Sequence, residues 1–194
     1  DLEIVQNRNL NIKGDVTKTS NAAITAGSGT RVVFSGSSGQ SLSGDFTGNN
    51  RFFDLELGNS DGLTIPSGSQ AEVANSLYLT SGILTTDNSL ILSDVDGLAD
   101  YSASDYVRGP LSRKLPNLSG TYYFPLGRGG NYKLTAILDP SVDNDYWMME
   151  YLNEDPGNQS FTSGSFTVSQ VEYWEVKGPA GAASRIQFSL TNTS

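Results

Sequence analysis

The chain has 194 residues with neither cysteine nor histidine, which excludes disulfides, thiolate chemistry, Ser-His-Asp triads and the usual zinc sites. Its formal net charge of −9 is the wrong sign for a nucleic-acid footprint, and no apolar run approaches the roughly 20 residues of a membrane-spanning helix. Twenty-one Gly and only seven Pro, together with the nineteen aromatic residues (two Trp, nine Tyr, eight Phe), suit a turn-rich, folded all-β chain rather than a disordered linker.

From the start, short apolar-alternating runs follow one another. Leu10-Asn11-Ile12, then Gly14 and Val16, resembles Leu77-Tyr78-Leu79, then Gly82 and Leu84. Between them, residues 30–86 carry Val32 to Phe34, Phe53 to Leu57 and Leu63 to Ile65, with Gly, Ser, Asn and Asp in every gap. Leu90-Ile91-Leu92 adds a further rung. There is no 3.6-residue stripe. Brief strands joined by tight turns predict a β-solenoid over residues 1–93, with inward Leu, Ile, Val and Phe stacked between rungs. The expected inward set is Leu10, Ile12, Val32, Phe34, Leu55, Leu57, Leu63, Ile65, Val73, Leu77, Leu79, Leu84, Leu90 and Leu92. The repeat starts without a polar cap, which suggests a piece of a longer chain.

Residues 94–105 are acidic and rich in small side chains, and read as a connector. After it the strands lengthen and become aromatic, with candidates at 121–126, 132–138, 146–152, 165–168, 171–176 and 185–190. Their spacing predicts an antiparallel β-sandwich over 106–194, with a closing strand expected beyond the end. The run Arg128-Gly129-Gly130-Asn131 reads as a hairpin turn, since it lacks the Lys-Ser/Thr and helix of a phosphate cradle. The fold class is therefore all-β, a short-strand solenoid followed by an antiparallel sandwich.

The run GSGTRVVFSGSSGQSLSG, then FFDLELGNSDGLTI and VANSLYLTSGILTTDNSLIL, resembles a module of large secreted and cell-surface proteins of the Bacteroidetes, many of them cargo of the type IX secretion system. Tyr106 to Leu111, Tyr123 to Gly127 and Glu172-Tyr173-Trp174 resemble the block that often follows. The resemblance implies an extracellular, adhesive or structural multidomain parent. It carries no catalytic motif and places no active site on this chain.

Three groups of side chains are candidate sites. Asp94, Asp96 and Asp100 form D-x-D-G-x-x-D, and Asp139, Asp143 and Asp145 share one loop; either set could offer oxygens to calcium, or simply form solvated turns. No other cofactor is expected. Tyr146, Trp147, Tyr151 and Trp174 could form a sugar-stacking platform, or pack in the core. Charge is segregated. Arg108, Arg113, Lys114, Arg128 and Lys133 are the only charged residues of 106–133, whereas 139–175 holds eight acids and no cation. The blocks either pair within the fold or form an association patch. Acidic pairs such as Glu150 with Glu154, or Glu172 with Glu175, sit in no hydrolase motif.

The expected function is a non-enzymatic structural or adhesive module of an exported cell-surface or extracellular protein. It would join neighbouring modules of its own chain, or other copies, end to end or edge to edge, and could build fibres. The alternative is a carbohydrate-binding module of a secreted multidomain enzyme, with surface polysaccharide as its partner. Nucleic acid and a membrane span are not expected.

Overall fold

A computed structural model describes residues 2–19, 21–87, 90–93, 97–157 and 171–189. It is all-β, with a single 3-10 turn among the described residues, at Gly48–Asn50, and about five turns of a β-solenoid make up its first part. Among the described residues no helix is long and apolar enough to cross a membrane.

Each coil supplies strands to three sides. The first coil is β1 (Leu2–Ile4), β2 (Asn9–Ile12) and β3 (Val16–Thr17). The second is β4 (Ile24–Ala26), β5 (Arg31–Phe34) and β6 (Gln40–Ser43). The third is β7 (Asp45–Phe46), β8 (Phe52–Gly58) and β9 (Leu63–Ile65). In the fourth, β10 (Gln70–Ser81) bends through two sides and β11 (Leu84–Thr86) forms the third. The fifth is β12 (Leu90–Leu92), β13 (Leu98–Ala99) and β14 (Val107–Arg108). All pairings between coils are parallel.

The register makes columns of like side chains. Leu10, Val32, Leu55, Leu77 and Leu98 are successive partners, 22, 23, 22 and 21 residues apart. One coil is therefore about that long, a period too imprecise to stand out in the sequence. Of the fourteen residues expected to point inward, twelve are buried. Leu10 and Ile12, in the first coil, are half-buried and packed against the same core. A parallel sheet covered on its inner face buries continuous aliphatic side chains, which is why Leu, Ile and Val dominate here.

The corners are fixed by backbone freedom and side-chain amides. Gly82 has a φ of +97°, and a Cβ there would lie 2.0 Å from the Asn59 carbonyl oxygen. Gly109, φ +113°, would meet the Thr86 carbonyl at 1.8 Å. Only glycine allows coils to approach so closely in a left-handed conformation. Gln40 Nε2 donates to the carbonyls of Ile12 and Gly14 one coil below, and Asn59 Nδ2 donates to Ser38 O and Gln40 Oε1. These bonds satisfy backbone groups that a buried corner would otherwise strand.

The later strands extend the solenoid's own sheets. β15 (Leu111–Leu115) pairs in parallel with β12, and β16 (Thr121–Arg128) with β14. The direction then changes. β17 (Asn131–Leu138), β18 (Asp145–Leu152), β19 (Tyr173–Lys177) and β20 (Arg185–Gln187) add antiparallel: β18 and β19 beyond β15, β17 and β20 beyond β16. The sheets are thus mixed, with orders β2-β5-β8-β10-β12-β15-β18-β19 and β3-β6-β9-β11-β14-β16-β17-β20. The sequence suggested a separate sandwich behind a connector at 94–105. Instead, β13 lies inside that connector and pairs with β10, so the fifth coil runs through it. The change of composition precedes the change of strand direction, which comes only after β16, and the same two sheets continue across both. The Arg128 to Asn131 turn is the expected two-residue hairpin, with Gly129 and Gly130 at φ +61° and +81°. The candidate strand 165–168 lies outside the described residues.

Candidate functional site: an open apolar end and a buried arginine

Two places in this frame have unmet physical demands. The first is the outer side of the first coil. Among the described residues, each of β2 and β3 ends its sheet with one edge unpaired. Leu2 and Val5 are exposed, and a small apolar cavity of about 60 Å³ lies among Leu2, Leu10, Ile12, Val16, Phe34 and their neighbours. Free N–H and C=O groups beside an apolar interior invite another strand.

The second lies where the parallel sheets turn antiparallel. Phe52, Val73, Leu92, Arg113 and Trp147 are successive partners across one side of the stack. Arg113 stands in this apolar column and is only 5% exposed. β15 alternates Leu111, Arg113 and Leu115 inward with Ser112 and Lys114 outward, so a cation is carried to an inner position by strand period alone. Its one hydrogen bond runs from Nη1 to the Tyr123 carbonyl oxygen, and its guanidinium carbon lies 5.7 Å from the centre of the Phe124 ring. Among the described residues Nε is buried without a partner, as is Nε1 of Trp147, the residue directly opposite on β18. Burial pushes the guanidinium down to about 10, with Tyr101 and Tyr122 opposing, so it remains charged at neutral pH. Beside it opens a pocket of about 260 Å³, walled also by Leu98, Tyr101, Asn117, Thr121, Tyr122 and Tyr123.

The other cations of the expected patch do not join Arg113 on one surface. Arg108 is exposed beside a separate groove with Asp61 and Thr85, and Lys114 points outward. Arg128 pairs with Glu150 at 3.5 Å and Glu154 at 4.0 Å. Lys133 is buried, with Nζ 2.8 Å from Glu172 and 5.5 and 5.8 Å from the ring centres of Tyr151 and Trp174. The Tyr151 hydroxyl donates to Glu172 at 2.9 Å, and burial followed by that carboxylate raises the tyrosine's titration. Three cations thus leave the patch: two to pair with acids of 139–175, one to burial.

The aromatic candidates divide in the same way. Tyr146 is exposed, whereas Trp147 and Tyr151 are buried on the opposite face of β18. Trp174 is partly buried against Tyr151 and Phe188, with ring centres 5.2 and 4.8 Å away, and its Nε1 donates to Thr135 Oγ1. The four rings therefore do not share a platform, because period two sends Tyr146 away from the others. Of the acidic candidates, Asp94 and Asp96 lie outside the described residues. Asp100 and Asp139 occupy left-handed turn positions, φ 58° and 47°. Asp139 accepts from Gly120 N and pairs with Arg185, and these bonds hold its carboxyl below the usual range. Asp145 accepts from Tyr146 N, and Asp143 is exposed. Among the described residues no three acidic side chains converge as a metal site would require.

The Arg113 pocket was not visible in the sequence as a site. The alternation Leu-x-Arg-x-Leu could have flagged a buried cation, but the residues that wall it come from β13, β16 and two turns. No protein-family model, curated protein or solved structure matches the chain.

Proposed function

We propose that this chain is a non-enzymatic structural or adhesive module of an exported, cell-surface or extracellular protein. It works by stacking: a further coil, from its own protein or from another copy, adds to the open side of the first coil. The observation that carries this reading is the unpaired edges of β2 and β3 beside an apolar interior. At the far end, β15 and β16 lie in parallel on the fifth coil, antiparallel strands follow beyond them, and Lys133 of β17 is paired with Glu172. β19 and β20 also end their sheets, so it is the apolar interior beside β2 and β3, more than the free edges, that favours growth at the first coil. The antiparallel end, as the beginning of a sandwich, serves as the folded node that stops the stack. The exported setting rests on the resemblance of the sequence to secreted Bacteroidetes modules. Electron microscopy of the purified chain at high concentration tests the reading. Paired or end-to-end particles are expected; isolated single particles at every concentration would overturn it.

A further inference from the structure

We infer that the pocket over Arg113 is a binding site for a carboxylate-bearing sugar ring. A buried guanidinium is destabilising unless an anion compensates it. Arg113 has no acidic partner among the described residues, and its only hydrogen bond is to a neutral carbonyl. Its Nε and the Nε1 of Trp147, on directly opposed strand positions, are the two buried side-chain polar atoms without partners among those residues. Every other position of that column holds an apolar side chain. A polar side chain that breaks the packing rule of its own stack, and opens onto a pocket, belongs to a ligand rather than to the fold.

The pocket defines the ligand's chemistry. It contains one cation, so it suits a monoanion better than a doubly charged phosphate. The chain's net charge of −9 disfavours polyanions such as nucleic acid. The guanidinium fork matches the two oxygens of a carboxylate. The rest of the wall is neutral: Leu98 and tyrosine rings for the face of a ring, and Asn117 and Thr121 for hydroxyl groups. At about 260 Å³ it falls below the roughly 300–1,000 Å³ of pockets for drug-sized molecules, which fits a single acidic sugar. Tyr123, 41% exposed, stands at the mouth. This site is separate from the open first coil, so binding and stacking can fail independently.

The test titrates the whole chain with glucuronate, glucose and benzoate, following heat and the fluorescence of the two tryptophans. Glucuronate is expected to saturate the site, with glucose and benzoate weaker by about tenfold or more. Arg113→Met should lose glucuronate binding by a similar factor while its melting temperature stays level or rises, because the substitution removes an uncompensated buried charge. Tyr123→Ala, at an exposed side chain, should weaken binding without unfolding the chain, and decides the matter if Arg113→Met does not fold. No saturable glucuronate binding, equal binding of glucose or benzoate, or unchanged affinity in either variant would overturn the assignment.

Discussion

The parallel coils and the antiparallel end are built on the same two sheets, yet they bury different chemistry. In the coils the core is aliphatic with three phenylalanine rings, Phe34, Phe46 and Phe52, the last two stacked at 5.4 Å. Their buried polar groups are amides, hydroxyls and carboxylates engaged at corners and edges, such as Gln40, Asn59, Asp54 and Glu72. The two buried cations among the described residues, Arg113 and Lys133, both belong to the end. A stack of like coils repeats its contacts, so an inward charge in one coil would face apolar neighbours above and below. Where the repeat stops, that constraint lifts, and charge can be placed for pairing or for a ligand.

If the comparison is right, the most damaging substitution lies in the antiparallel end. Lys133→Met takes the cation from the buried Glu172, which keeps the Tyr151 hydroxyl bond, and should cost about 3–5 kcal/mol, measured by urea unfolding. Loss of the whole pair, in Lys133→Met with Glu172→Leu, should recover much of it. A single substitution costing no more than an exposed ion pair would show that the charge there is solvated.

In the coils the corresponding test is a cavity. Leu77 is fully buried in the central column, and Leu77→Ala should cost about 2–5 kcal/mol. Leu10→Ala, at the half-buried start of the same column, should cost less; equal costs would mean that the first coil is as enclosed as the fourth. The corners come next. Gly82→Ala combines left-handed backbone with a contact at 2.0 Å and should cost more than about 1 kcal/mol.

Acid should act on the coil corners with a smaller and graded effect. Burial tends to raise the Glu72 carboxyl, but bonds from Gly48 N–H, Ser93 and Arg51 outweigh it and hold it below the usual range. Asp105 is likewise lowered, against burial, by Ser102, Gly82 N–H and Ser104. Carboxylates lowered in the folded state contribute stability above their unfolded values, about 3.9 for Asp and 4.3 for Glu, and lose it as pH falls through the folded ones. Melting temperature should therefore drop below about pH 4, and Glu72→Gln with Asp105→Asn should flatten that limb. An unchanged limb would mean that these corner bonds add nothing to the coils.

How much of this was legible in the sequence also differs between the regions. Strand period and stacking exposed Leu55, Leu77 and their column because each coil repeats the same simple demand. The run from Gly97 to Asp105 hid a coil, since β13 contributes only Leu98 and Ala99 and its partners lie in β10. For Arg113 and Lys133 the sequence left pairing within the fold and an association patch both open, since composition records sign and not direction. Their placement depends on strand register, and Glu172 lies 39 residues along the chain from Lys133. The Tyr146 and Trp147 pair was ambiguous for the same reason: one residue of register decides which ring is exposed.

Sedimentation velocity across a wide concentration range tests the stacking function most directly, with the chain compared to an Ile12→Lys variant that places charge on the open first coil. Concentration-dependent growth beyond the monomer, abolished by the substitution while the fold is retained, is the expected result. A compact monomer at all concentrations, or association that survives the charge, would contradict a function built on the open end of the stack.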